Sequence, residues 1–583
     1  MRKLLVTALL GATTFGVQAA ALATSSPPPH IWSGSFAGSF QGVPGDAVAV
    51  DSAGNSIITG FFQGLIDFGS GSLSSAGDND IFLAKFNSNG APVFSFNFGD
   101  TSADIGNSVT VDSSGNVVIT GKFKDDVNFG GGTLTSAGSD DIYVAKLGPS
   151  GNHLWSKRFG DADCQDGQDV AVDTSGNVIL TGVQTTGTVD FGGGPLTNSG
   201  SFEPFVAKFD SNGNHLWSKL FTGATALTPR VTVDPSGNVT IAGSFSGSVD
   251  FGGGLLAAGV GVDTFVASFD PTGSHRWSGR FGSAGAVSAS GVAVDISGNV
   301  VIVGNLIGSV DFGGDVLTST ASNDVYVAQF DASGNHLWSK LFGDTDDPTG
   351  DKLQQFVTGV AVDTSRNVVI TGGFGGVIDF GGGPLTSTGS NDVYLAEFDS
   401  DGNHRWSQRF GDLNAQQSAS VAVGPGNLSI IGTFIGNVDF GGGPLTTANQ
   451  QFSEIFVAAF EKPIVPVSIK PGDANQDGVI DLSDPVALLN RVFNGVPLPS
   501  ATLGSEACFF AAGDFTAAGL RVLDWNCDGA IDLSDPVAQL AWQFQGSFAH
   551  SQPPGGCAVT GCVDQPCSNC ILVLGRGCLD SCI

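Results

Sequence analysis

One phrase recurs along this chain at a nearly constant interval: Val-x-Val-Asp-x-Ser-Gly-Asn, followed by a β-branched run. It stands as Val111-Asp112-Ser113-Ser114-Gly115-Asn116-Val117-Val118-Ile119 and returns around Asp173, Asp234, Asp295 and Asp363. A looser copy lies at Asp51 and a degenerate one at Gly424-Pro425-Gly426-Asn427. Successive anchors are 61 residues apart, with 68 between Asp295 and Asp363. Seven units at one period define a repeat architecture, in which each unit buries its apolar faces against its neighbours.

Each unit reads as four strands, and the third copy shows them well. Val170-Ala171-Val172 leads through the turn Asp173-Thr174-Ser175-Gly176-Asn177 into Val178-Ile179-Leu180-Thr181. An Asp opening such a turn bonds backbone groups further on, and Gly takes the positive φ. A longer connection through Val189-Asp190-Phe191-Gly192-Gly193-Gly194 reaches Phe205-Val206-Ala207-Lys208-Phe209. A second tight turn, at Asp210 to Asn214, opens the last strand, His215-Leu216-Trp217-Ser218-Lys219. Two hairpins per unit make a four-stranded antiparallel meander. Its apolar runs want cover on both faces, which radial stacking around an axis supplies. The expected fold is mainly β, a seven-bladed β-propeller over 30–461. The chain begins with a copy of the fourth strand, His30-Ile31-Trp32-Ser33, and its last repeat ends on a copy of the third, Ile455-Phe456-Val457-Ala458. The N-terminal strand is therefore expected to complete blade seven and close the ring.

Composition agrees with many short strands and tight turns: 86 Gly, 43 Phe, a single Met and only 13% charged residues. The formal net charge of −32 argues against nucleic acid, whose phosphates need clustered Lys and Arg. It suits cations, basic partners or plain solubility. At the N-terminus, the basic Met1-Arg2-Lys3, an apolar stretch and Ala21-Leu22-Ala23 read as a secretory signal peptide over 1–23. No later run is long and apolar enough to span a membrane as a helix. The expected location is extracellular or cell-envelope, with 24–29 as a linker.

The string Asp324-Val325-Tyr326-Val327-Ala328-Gln329-Phe330-Asp331-Ala332-Ser333-Gly334-Asn335-His336-Leu337-Trp338, with the Val-Asp phrase after it, resembles the bacterial SBBP propeller repeat. Those repeats are similar to the NHL type, which implies the Val-Asp strand innermost and the Trp strand outermost. The resemblance implies an extracellular scaffold rather than one activity.

Beyond a linker at 462–470 the periodicity changes. Asp473, Asn475, Asp477, Asp481 and Asp484 stand at positions 1, 3, 5, 9 and 12 of a loop with Gly478 at the sharp turn and the Val479 carbonyl at position 7. Asp524, Asn526, Asp528, Asp532 and Asp535, with the Ala530 carbonyl, repeat the pattern. Hard Ca²⁺ takes such a dense oxygen set, so two Ca²⁺ sites are expected. Each loop runs into a helix opened by Pro485 or Pro536, with apolar stripes at Val486, Leu489 and Val492 and at Val537 and Leu540. This loop-then-helix duplication over 471–546 resembles a type I dockerin, an EF-hand-like α-helical domain. The resemblance implies docking to a cohesin-like protein, and the spacing of 51 residues between copies departs from the compact dockerin pattern. The tail at 547–583 holds Cys557, Cys562, Cys567, Cys570, Cys578 and Cys582, read as disulfides of open connectivity, with half a zinc site at Cys567 and Cys570 as the alternative. Cys508 and Cys527 are left to pair with each other, and only Cys164 lies in the repeats.

No catalytic constellation stands out. His30, His153, His215, His275, His336 and His404 occupy one repeated position, which speaks for packing. Asp80, Asp141, Glu203, Asp263, Asp324, Asp392 and Glu454 each precede the third strand. They either brace their own blades or form a ring that binds cations or a basic partner, near variable acidic loops at Asp161, Asp163, Asp166 and Asp169 and at Asp344, Asp346, Asp347 and Asp351. The expected function is a non-enzymatic binding scaffold. The alternative is an extracellular polysaccharide-degrading enzyme or accessory subunit with a carbohydrate ligand. Near-identical blades disfavour it, because an active site breaks the symmetry of one or two units.

Overall fold

The computed structural model describes residues 26–38, 47–198, 200, 202–282, 285–319, 323–343 and 355–462. The expected signal segment 1–23, the residues expected to form calcium loops between Asp473 and Asp535, the Cys-rich tail and the acids Asp344 to Asp351 lie outside the described residues.

Seven four-stranded antiparallel sheets follow one another along the chain. Blade one runs Ala47–Val50, Ser56–Phe62, Asp80–Phe86 and Pro92–Phe98. Blade two runs Ile105–Val111, Val117–Phe123, Asp141–Leu147 and His153–Phe159, and blade three Gln165–Val172, Val178–Gln184, Glu203–Phe209 and His215–Leu220. The first strands of blades four to seven are Ala224–Val233, Ala286–Val294, Gln355–Val362 and Gln416–Gly424. First strands of successive blades pack side by side, and that of blade seven meets that of blade one, so the Val-Asp strand lines the axis. The fourth strand, Trp-bearing in blades two to seven, takes the opposite edge of each sheet. Closure follows the expected route: His30–Phe36 pairs antiparallel with Glu454–Glu461 and completes blade seven.

The cores lie between blades. One cluster joins Ile142, Val144 and Phe159 of blade two to Leu180, Phe191 and Phe205 of blade three, and equivalent clusters fill the other junctions. At roughly 2–3 kcal/mol per buried large apolar side chain, these wedges dominate the hold between blades. Indole N–H groups add staples: Trp155 donates to the Ser211 carbonyl of the next blade at 3.0 Å, and Trp217, Trp277 and Trp338 repeat the link.

The longer connection between second and third strands is itself a small hairpin, such as Gly187–Asp190 with Pro195–Asn198. Asp190 Oδ1 accepts from Gly192 N at 2.7 Å and Gly194 N at 3.0 Å, and Phe191 drops into the core. The repeated histidines explain the glycines. A Cβ on Gly131 would lie 2.0 Å from the His153 ring, whose Nε2 is 3.0 Å from Ser156 Oγ.

Candidate functional site

The Asp of the repeated phrase is structural. Asp112 Oδ1 accepts from Ser114 N and Asn116 N, both at 2.9 Å, and Oδ2 meets Lys146 Nζ at 2.9 Å. Burial pushes its carboxyl up, but the hydrogen bonds from Asn116 and Lys146 outweigh this and hold it below the ordinary range. Lys85 with Asp51 and Lys208 with Asp173 repeat the arrangement. In blade six Glu397 replaces the lysine, and Lys462, just past the last strand, supplies the ammonium to both Glu397 and Asp363.

The seven acids before the third strands are all buried. Asp141 accepts from Ala137 N at 2.9 Å and from the Arg158 guanidinium, and Asp392 accepts from Thr388 N at 3.0 Å and from Arg409. Asp263 pairs with Arg280 at 2.5 Å, while Glu203 and Glu454 take the N–H groups of Gly223 and Ala448. These carboxylates brace their blades. Among the described residues, no group of three or more His, Cys, Asp or Glu side chains could hold a metal ion.

On the face where these third strands start, the described copies differ in blades two, three and four. Lys122 Nζ lies 3.0 Å from Asp140 Oδ2, and Cys164 Sγ is 3.6 Å from the same oxygen. Burial works against the Lys122 charge, but Asp166 and Asp140 hold its ammonium above its ordinary value. Asp166 accepts from Asn107 Nδ2 at 2.7 Å, and burial pushes its carboxyl up against the pull of Lys122. Asp169 ties three blades together, accepting from Ser108 Oγ at 2.7 Å and Val231 N at 2.8 Å. Asp161 and Asp163, by contrast, cap local loops through Gln165, Thr188 and Thr186.

Beside this cluster opens a pocket of about 190 Å³, walled by Val183, Phe202, Ala226 and Leu227 over Lys122, Cys164, Asp166 and Gln168. Burial and the Asp140 charge push the Cys164 thiol up, so it is a poor nucleophile. The six repeated histidines sit at the start of outer strands, away from it. The arrangement suits binding rather than nucleophilic chemistry. Sequence reading singled out Asp166, Asp169 and Cys164 but missed Lys122, Asp140, Gln168, Phe202 and Leu227. A usable signal was present: Thr228-Pro229 stands where other copies have Gly106-Asn107 or Gly167-Gln168.

Fold and site together define a seven-bladed β-propeller with an asymmetric pocket among blades two to four. No family model matches the chain. An uncharacterized WD repeat-containing protein of Acanthamoeba polyphaga mimivirus is 22% identical over 464 residues, 62% of this chain and 33% of the relative, so the match spans about a third of that protein. Among solved structures, the Pan2 WD40 domain of Neurospora crassa is 12% identical, covers 71% of this chain and 88% of its own, and has a TM-score of 0.36. The Doa1 WD40 propeller (11% identical, 75% and 98% covered, TM-score 0.38) and an ulvan lyase among polysaccharide lyases (10%, 68% and 93%, 0.38) are also similar.

Proposed function

We propose that this chain is a secreted, non-enzymatic binding scaffold. Its propeller offers the asymmetric loop face to an extracellular partner, and 471–546 acts as a calcium-dependent docking module. The observation that carries the reading is the fate of the repeated polar side chains. The Asp turns, the third-strand acids and the histidines are engaged inside their own blades, which leaves recognition to the places where the copies differ. The likeness to SBBP repeats and the secretory N-terminus support an external location.

In the C-terminal module, Asp473, Asn475, Asp477, Asp481 and Asp484 with the Val479 carbonyl would hold one Ca²⁺. Asp524, Asn526, Asp528, Asp532 and Asp535 with the Ala530 carbonyl would hold the second. All-oxygen donors of this number are the chemistry that Ca²⁺ requires. Bound there, it would fix the loops against their helices and so present a face to a cohesin-like partner. Calorimetric titration of the full chain should give two Ca²⁺ per molecule, and Asp473→Ala with Asp524→Ala should abolish both. Unchanged titration in that variant refutes the module. A glycan panel tests the rest: turnover of any glycan would replace the scaffold reading with an enzymatic one.

A further inference from the structure

The pocket between blades three and four has a specific local cause. In five inner strands with a described bulge the ladder skips one residue, as between Gly167 and Asp169 or Ala289 and Gly291. In blade four it skips two, from Leu227 to Arg230. Pro229 has no N–H to give to the ladder, and Thr228 takes φ 46, a left-handed conformation that a β-branched residue rarely adopts. The wider bulge turns Leu227 outward, 49% exposed, opposite Phe202 at 45%, and the space between them is the pocket. Strain of this kind persists where the surroundings over-determine it, often at ligand sites.

The polar end of the pocket is acidic and incompletely paired. One ammonium, Lys122, faces two carboxylates, Asp140 and Asp166. The Gln168 amide donates toward Asp166, and its Oε1 is buried with no hydrogen-bond partner among the described residues. A buried acceptor without a donor is costly, and turning the Gln168 amide toward the pocket to meet a ligand N–H would relieve it. The volume of about 190 Å³ is below that of drug-sized sites, roughly 300–1,000 Å³, and fits a benzene-sized group.

We propose that this pocket binds a small organic ammonium compound. Its apolar part packs between Phe202, Leu227, Val183 and Ala226, and its N–H groups reach Gln168 Oε1 and the Asp166 carboxylate. The site goes beyond the scaffold reading and stands whether or not the propeller has a protein partner.

Three probes that share a phenyl ring separate the chemistry by calorimetry or ligand-observed NMR on the full chain: phenethylamine, the anionic phenylpropionate and neutral ethylbenzene. Saturable binding of phenethylamine is expected, about tenfold or more tighter than phenylpropionate. Leu227→Lys, which places a cation at the exposed rim, should weaken phenethylamine about tenfold. Leu255→Lys makes the same charge change at a residue 70% exposed on the blade-four flap and should leave binding unchanged. Gln168→Leu removes the free acceptor and should weaken the amine but not ethylbenzene. No saturable binding of phenethylamine at millimolar concentration overturns the proposal. So does equal affinity for the three probes, or equal loss in the Leu227 and Leu255 variants.

Discussion

Blade two carries one buried charge that its sister blades avoid. The backbone N–H of Asp104 bonds the Asn79 carbonyl at 2.7 Å, as Gln165 bonds Asp140 and Gln416 bonds Asn391. Gln165 accepts from Asp161 N at 3.1 Å and donates to Asp161 Oδ1 at 2.8 Å, and Gln416 treats Asp412 the same way. Asp104 accepts from Asp100 N at 3.0 Å and Lys124 N at 3.2 Å but has no proton for the Asp100 carboxylate. Burial raises its pKa from 3.8 to about 7, with the charges of Asp100 and Asp80 adding to the effect. Burial also pushes Asp80 up.

The sign of the consequence is fixed. A folded-state pKa above the unfolded value means that the folded chain binds more protons between pH 3.8 and about 7, so stability falls as pH rises through that window. At about 1.4 kcal/mol per pKa unit the full penalty above neutrality is about 4 kcal/mol. Hydration reaching the half-buried Asp100 edge reduces it to roughly 2 kcal/mol. Asp104→Gln installs the side chain of blades three and seven and should remove the penalty. Urea unfolding followed by tryptophan fluorescence should show the variant roughly 2 kcal/mol more stable at about pH 8 and nearly equal at about pH 4.5. An equal gain at both pH values would mean better packing rather than relief of charge, and a loss at pH 8 would sink the argument.

Other perturbations test the frame. Lys462→Met leaves Asp363 buried without its ammonium and Glu397 with only the Arg405 guanidinium, and should cost about 3 kcal/mol in urea unfolding; adding Glu397→Lys with Arg405→Leu, the arrangement of blades two and three, should recover most of it. Gly131→Ala drives a Cβ into the His153 ring and should cost about 1–3 kcal/mol, largely restored in the double variant with His153→Ala. Deleting 30–36 removes the outer strand of blade seven together with Trp32, and a markedly lower melting temperature is expected. A truncated chain that melts like the intact one would show that closure does not depend on that strand.

Much of the ring was legible because its determinants are local and repeated. The period fixed the number of blades, and the Asp-x-Ser-Gly-Asn turn chemistry located the first hairpin. The unmatched strands at His30 and Glu454 implied closure by pairing. The repeated histidines were read as packing for the same reason: six copies cannot all be one catalytic base. The third-strand acids were ambiguous, since a row of carboxylates looks alike whether it faces cations or Arg158, Arg280 and Arg409. Only tertiary structure decided that the partners lie on the next strand of the same blade. The pocket was least legible of all. Lys122, Cys164 and Leu227 come from three different blades, tens of residues apart in the chain, and meet only because those blades pack together. Sequence alone determined the blade, a property of short-range turns and alternating burial. The asymmetric site belongs to the tertiary structure, because contacts between repeats exist only once the blades pack against one another.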